Sequence, residues 1–316
     1  MVTAYSAVFV NIKFTEVSAI LITFSTFFVC WFVFLTANRA RLGALVALWR
    51  SEKRSYLMVN IATLLSWMGM FSALKLVNAP VQTVVYMSII PLVTVVLGGE
   101  WRRLSALTRL AVGVIGVLGM VVAYTHPSMA DFAINRQFGG VLLALGAGAC
   151  GAVFIVSSSA LQKRHSLSTN DLICIRLPIL LLFTGAISLP ELVRVFSLEF
   201  VGKALFLSAV AVMVPVWMLQ QSITKIGGVR TSVLIPLVPI TALALEWREG
   251  VTVSFPALVA ICLQCAAIMW TSLSLARARQ AVAAAPTGTP AGAPTQASST
   301  VPVTAQPVTE VGALKG

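Results

Sequence analysis

The stretch WMGMFSALK (residues 67–75) returns as WMLQQSITK (residues 217–225), matching at Trp, Met, Ser and Lys. Downstream of each copy the echo continues. PLVTVVLGGEWR (91–102) answers PITALALEWR (239–248), with Pro at the start and Glu-Trp-Arg at the end of both. The offset is 150 residues at Trp67 and Trp217, 148 at Pro91 and Pro239, and 146 at Glu100 and Glu246, a drift that small gaps absorb. Self-similarity at a fixed separation marks a chain built from two copies of one structural unit.

The unit is membranous. Apolar residues make up 58% of the 316, and only 10% are charged; the mean hydropathy is +0.94. A soluble domain carries roughly a quarter charged residues, so this chain lacks the charge to keep its surface wet. A bilayer core about 30 Å thick needs about 20 apolar residues per helix. Apolar runs near 2–13, 18–37, 55–74, 80–98, 107–125, 138–160, 171–189, 202–222, 229–246 and 254–275 predict ten spans, five in each half. Five is odd, so the second half enters the membrane from the opposite side and the repeats are inverted. The expected organisation is a first five-helix repeat over 1–135, a second over 136–280 and a tail over 281–316. Inverted repeats are typical of secondary transporters, whose solute site lies between the halves near mid-membrane.

The net charge of +12 does not point to nucleic acid, because Lys and Arg sit in short clusters between apolar runs. That is the layout of cytoplasmic membrane loops. With both termini inside, the cytoplasmic segments hold 15 basic residues, the outer segments hold 6, and Arg176 is left inside a span. Both termini are therefore expected in the cytoplasm. The first span is short: about a dozen residues precede Lys13, which a tilted partial helix or a start placed too far downstream would each explain. No basic n-region or cleavage site suggests a signal peptide. The tail, rich in Ala, Pro, Thr and Gly, has almost nothing large to bury and is expected to be disordered.

A small-residue-rich helix, then Pro in mid-helix, then Glu at the helix end, occurs once per half. This pattern resembles the EamA-type transporters of the drug/metabolite transporter superfamily, and the ten spans, the five-plus-five repeat and the internal termini fit as well. The resemblance covers roughly residues 4–276. The family often has an Arg early in the second helix of each half. Arg176 stands there in the second half, but Phe24 or Ser25 in the first, so one half alone would do whatever that Arg does. The resemblance implies an exporter of amino acids, small metabolites or toxic compounds in a bacterial inner membrane; more distant relatives carry nucleotide sugars and sugar phosphates.

Several residues are candidates for the site. A charge inside a span costs at least about 2.5–3.5 kcal/mol on insertion scales and should face the bundle interior. Arg176 would meet an anionic solute group or, one turn from the helix end, Asp171 or a carbonyl. Trp67, Tyr86, Trp217, Gln220 and Gln221 offer aromatic faces and amides suited to an amphipathic solute, with Asn11 a lesser candidate; the tryptophans could equally anchor at the membrane interface. Pro91 and Pro239 each free a helical carbonyl, making them gate hinges or shapers of the bundle. Glu100 and Glu246 end their helices against the macrodipole, so each needs a cationic partner or couples protons. Gly113, Gly116, Gly119, Gly146, Gly148 and Gly151 form small-residue stripes for close helix packing. Cys262 and Cys265 form a CxxC with no second pair, and His126 and His165 sit apart, so neither metal nor cofactor is expected. No catalytic triad is present. Three functions stay open: a small-solute exporter, a sugar-phosphate or nucleotide-sugar exchanger, and a membrane lipid-handling enzyme. The expected partners are the bilayer and the solute; nothing in the sequence sets an oligomeric state.

Overall fold

A computed structural model of the chain describes residues 17–77, 79–99, 101–125, 134–235 and 255–284, and every regular element among them is helical. In chain order these are α1 (Ala19–Ala37), α2 (Leu42–Ser51), α3 (Lys53–Leu74), α4 (Ala79–Leu97) and α5 (Ala106–Thr125). Next come α6 (Ile134–His165), α7 (Thr169–Arg176), α8 (Pro178–Val195), α9 (Leu198–Phe206), α10 (Val214–Ile226), α11 (Gly228–Leu234) and α12 (Phe255–Ala284). Two 3-10 turns, Arg39–Arg41 and Trp101–Arg103, precede α2 and α5, and a π-helical segment, Leu207–Met213, joins α9 to α10. Asn11, Glu100, Pro239, Glu246 and His126 lie outside the described residues, as do the run at 2–13, most of the run at 229–246 and residues 285–316. Helix α12 extends to Ala284, past the boundary expected at 280.

Among the described residues, five stretches are long and apolar enough to cross a bilayer: Ala19–Ala37, Lys53–Leu74, Arg136–His165, Thr169–Val195 and Leu198–Ile226. Their outward faces are apolar too. Leu182 and Val193 are each 74% exposed and Leu189 is 59% exposed, a surface that lipid tolerates and water does not. Helices suit this setting because each one satisfies its own backbone donors and acceptors without water. The chain is an all-α protein with the surface of a membrane protein.

The gap between the second and third expected spans holds a 3-10 turn, Arg39–Arg41, and a helix that the apolar runs did not predict. Helix α2 has ten residues, about 15 Å at 1.5 Å per residue, too short to cross. Leu45 is buried beneath it while Val46 and Trp49 are about half exposed, so it lies along the end of the bundle on an apolar face.

Packing is organised around α6, which runs along both α3 and α4; α5 packs on α12, and α1 on α8. Part of the glycine stripe makes this possible. A Cβ on Gly148 would overlap the Tyr86 carbonyl oxygen, and one on Gly119 would overlap Ser88 Oγ. Gly113 and Gly146 have nothing within 4 Å, so those positions are open. The conflict at Gly148 is with backbone, which cannot swing aside. Gly148→Ala should therefore push α4 from α6 and cost about 1–3 kcal/mol of stability, the usual toll of overpacking, whereas Gly146→Ala should be near neutral. Unfolding of both variants in detergent micelles checks this.

Candidate functional site

The site begins with a broken helix. Pro178 has no N–H, so the carbonyl four residues earlier, at Cys174, loses its helical partner, and α7 stops at Arg176 before α8 restarts. In an apolar interior each freed group needs another partner, and side chains of the first half supply them. Trp31 Nε1 donates to the Cys174 carbonyl at 3.2 Å. Asn60 Nδ2 donates to the Ile175 carbonyl at 2.8 Å, and Asn60 Oδ1 accepts from the Ile179 amide at 3.3 Å. One amide, fully buried in α3, thus bridges both lips of the break.

Held there, Arg176 is 1% exposed. Its guanidinium carbon sits 4.6 Å from the centroid of the Phe154 ring, a cation–π contact that gains strength when desolvated. Its Nε has no hydrogen-bond partner. Asp171, the neighbour offered by the sequence, is engaged elsewhere: it closes a capping box with Ser168 at the start of α7 and pairs with Arg41 at 2.6 Å.

Arg176 lines a cavity of about 380 Å³ whose walls come from α3, α4, α6, the α7–α8 junction and α10. Trp67, Met70, Phe154 and Leu219 supply apolar wall, and Thr63, Ser66 and Tyr86 supply hydroxyls. Tyr86 Oη and Ser66 Oγ are 2.9 Å apart. Trp67 packs edge-on against Phe27, with ring centroids 4.6 Å apart. Pro91 lies within α4 without ending it; its missing N–H removes the bond that the Met87 carbonyl would accept, and Met87 is on the cavity wall.

The structure thus brings Arg176, Trp67 and Tyr86 together, but not the second-half residues expected beside them. Trp217 is 42% exposed and is not among the cavity-lining residues. The π-helical segment explains its place. Each wide turn takes up one extra residue, so the helix beyond it is rotated by about 100° relative to an uninterrupted α-helix. Met218, the neighbour of Trp217, is on the cavity wall instead. Gln220 is fully buried but serves packing: its Nε2 donates to Gln162 Oε1 at 3.0 Å, and Gln162 Nε2 donates to Thr224 Oγ1 at 2.7 Å, clamping α10 to α6. Gln221 is half-buried and also off the cavity wall. Sequence reasoning missed Asn60 and Phe154. A lone amide in the middle of an apolar span was a signal for the first; nothing singles out the second.

At one end of the bundle, polar side chains from residues 41–52 meet others from residues 164–171. Besides Arg41–Asp171, Glu52 takes Arg164 at 3.1 Å and His165 Nε2 at 3.3 Å. At the opposite end Glu191 accepts from the Ser18 amide at 2.7 Å, and Arg136 Nη2 donates to the Lys75 carbonyl at 2.9 Å. Hydrogen bonds from Ser55, Arg164 and His165 hold the Glu52 carboxyl below its ordinary value.

Asn60→Ala should cost about 1–2 kcal/mol, read by unfolding in mixed micelles, because the Ile175 carbonyl loses its buried partner. A depressed carboxylate contributes stability above its unfolded pKa of about 4.3 and loses it as pH falls through the lower folded value. The melting temperature of the wild type should accordingly drop more than that of Glu52→Gln as pH is lowered below about 4.3, and the two curves should run parallel above about pH 6.

No family model matches the chain, and no curated protein matches it. Among solved structures 17 chains do match. One, described only as the crystal structure of a protein, is 18% identical with a TM-score of 0.58, covering 89% of this chain and 95% of its own; at that identity the likeness is one of fold.

Proposed function

We propose that the chain is a secondary transporter of the EamA type, ten spans arranged as two inverted repeats, exporting small amphipathic metabolites or amino acids across a bacterial inner membrane by alternating access. The observation that carries this reading is a buried arginine, paired with no carboxylate among the described residues, lining a cavity whose described walls come from residues 63–90 and 151–235. Such a residue is costly in a membrane and is kept where a solute or ion path needs it.

Two further features support the reading. In the repeat numbering, the second span pairs with the seventh and the fifth with the tenth, and these equivalents touch: α1 on α8 and α5 on α12. A two-fold axis in the membrane plane would produce that arrangement. The ion pairs at one end tie Arg41 and Glu52 of the first half to Asp171, Arg164 and His165 of the second, where a barrier between cavity and solvent would form. The basic residues at that end are those that the charge count puts in the cytoplasm, with both termini.

Sugar-phosphate or nucleotide-sugar exchange has less support, because Arg176 is the lone cation among the described residues lining the cavity. A lipid-handling enzyme would need reactive groups converging near an interface, and no observation favours one.

Purified protein in liposomes should move radiolabelled amphipathic metabolites and amino acids faster than empty liposomes do. Arg176→Ala should lower the rate about tenfold or more, the weight of one charge-assisted contact, and Trp67→Ala should lower it less. Absence of flux across a broad solute panel, with folded protein and intact vesicles, would overturn the proposal.

A further inference from the structure

Arg176 is charged, 1% exposed, and paired with no carboxylate among the described residues. Asp171, on the same helix, is already bound to Arg41 and to its own helix cap. The described cavity wall contains hydroxyls and apolar groups but no Asp or Glu. Withdrawing an ion from water costs several kcal/mol even after relaxation, and the aromatic contact to Phe154 offsets only part of that. The guanidinium thus lacks a counter-ion while its Nε donor is unused, beside a space of about 380 Å³.

Building on the transporter reading, we infer that the cavity selects net monoanions: a single carboxylate carried on an apolar, aromatic-sized body, in preference to the zwitterionic amino acid of the same shape. A carboxylate supplies the missing counter-ion and accepts hydrogen bonds from a guanidinium. The Trp67 and Phe154 rings and Met70 take the apolar body. The α-ammonium of an amino acid would enter a cavity without a described acidic side chain, next to a fixed positive charge. A desolvated charge without a partner is heavily disfavoured. A phosphate dianion fits less well, since its second charge would go unanswered among the same residues.

The test uses three probes sharing one phenylethyl body: 3-phenylpropionate, phenylalanine and 2-phenylethylamine. Binding to the full-length protein in detergent is read from the concentration dependence of the melting temperature. The expected result is stabilisation by 3-phenylpropionate with a dissociation constant at least about tenfold below that of phenylalanine, and none by the amine. In Arg176→Gln the carboxylate effect should disappear while the unliganded melt and helical circular dichroism stay intact. If that variant does not fold, the ranking of the three probes on the wild type decides alone. Equal or tighter binding of phenylalanine, no shift with 3-phenylpropionate up to its solubility, or undiminished carboxylate binding by folded Arg176→Gln would each overturn the inference. Binding of 3-phenylpropionate without its movement in liposomes would sink the transporter reading and leave the anion site standing. Flux of phenylalanine with no 3-phenylpropionate binding would do the reverse.

Discussion

Backbone amides and carbonyls cannot go unpaired in hydrocarbon, and the cavity depends on how one breach of that rule is repaired. Pro178 interrupts the helix that carries Arg176, and the lost bonds are replaced by the Asn60 amide and the Trp31 indole. These partners come from other helices, so the break is stable only when α1, α3 and the α7–α8 pair are already assembled. The site is in this sense a product of the tertiary fold. Its arginine has its position because two side chains far away in sequence hold the backbone on either side.

The same dependence gives the two halves different duties. The first contributes the braces, Asn60 and Trp31, and the hydroxyl-bearing wall of Ser66 and Tyr86. The second contributes the charge and the broken helix that presents it. Gly148 lets α6 approach α4 closely enough for Tyr86 to join the wall, and Gln162 with Gln220 and Thr224 fixes α10 to α6 on the other side. Among the described residues lining the cavity, the charge comes from Arg176 alone.

Features were legible in the sequence to the degree that each stands out against an apolar background. The helical character and most helix positions could be read because about 20 apolar residues in a row leave few alternatives. Arg176 was legible for the opposite reason, as a charge where charges are costly, and Trp67 and Tyr86 as aromatic faces inside apolar spans. Facing direction was less accessible. Trp217 and Gln221 were chosen for their aromatic and amide chemistry, which does not say which way a helix faces, and both lie off the cavity wall. The partner of Asp171 was illegible because Arg41 lies on another half, brought near only by folding. Helix α2 escaped because a criterion built on runs of about 20 apolar residues cannot find a ten-residue helix.

The wide turn also confers a mechanical tolerance that α3 lacks. It stores one residue beyond what an α-helix of the same reach would need. A chain shortened by one residue inside Leu207–Met213 can absorb the loss by reverting to ordinary helical bonds, leaving α10 facing as it faces now. The same deletion in α3, which has no such reserve, would turn the Trp67 face by about 100° and dismantle the wall opposite Arg176.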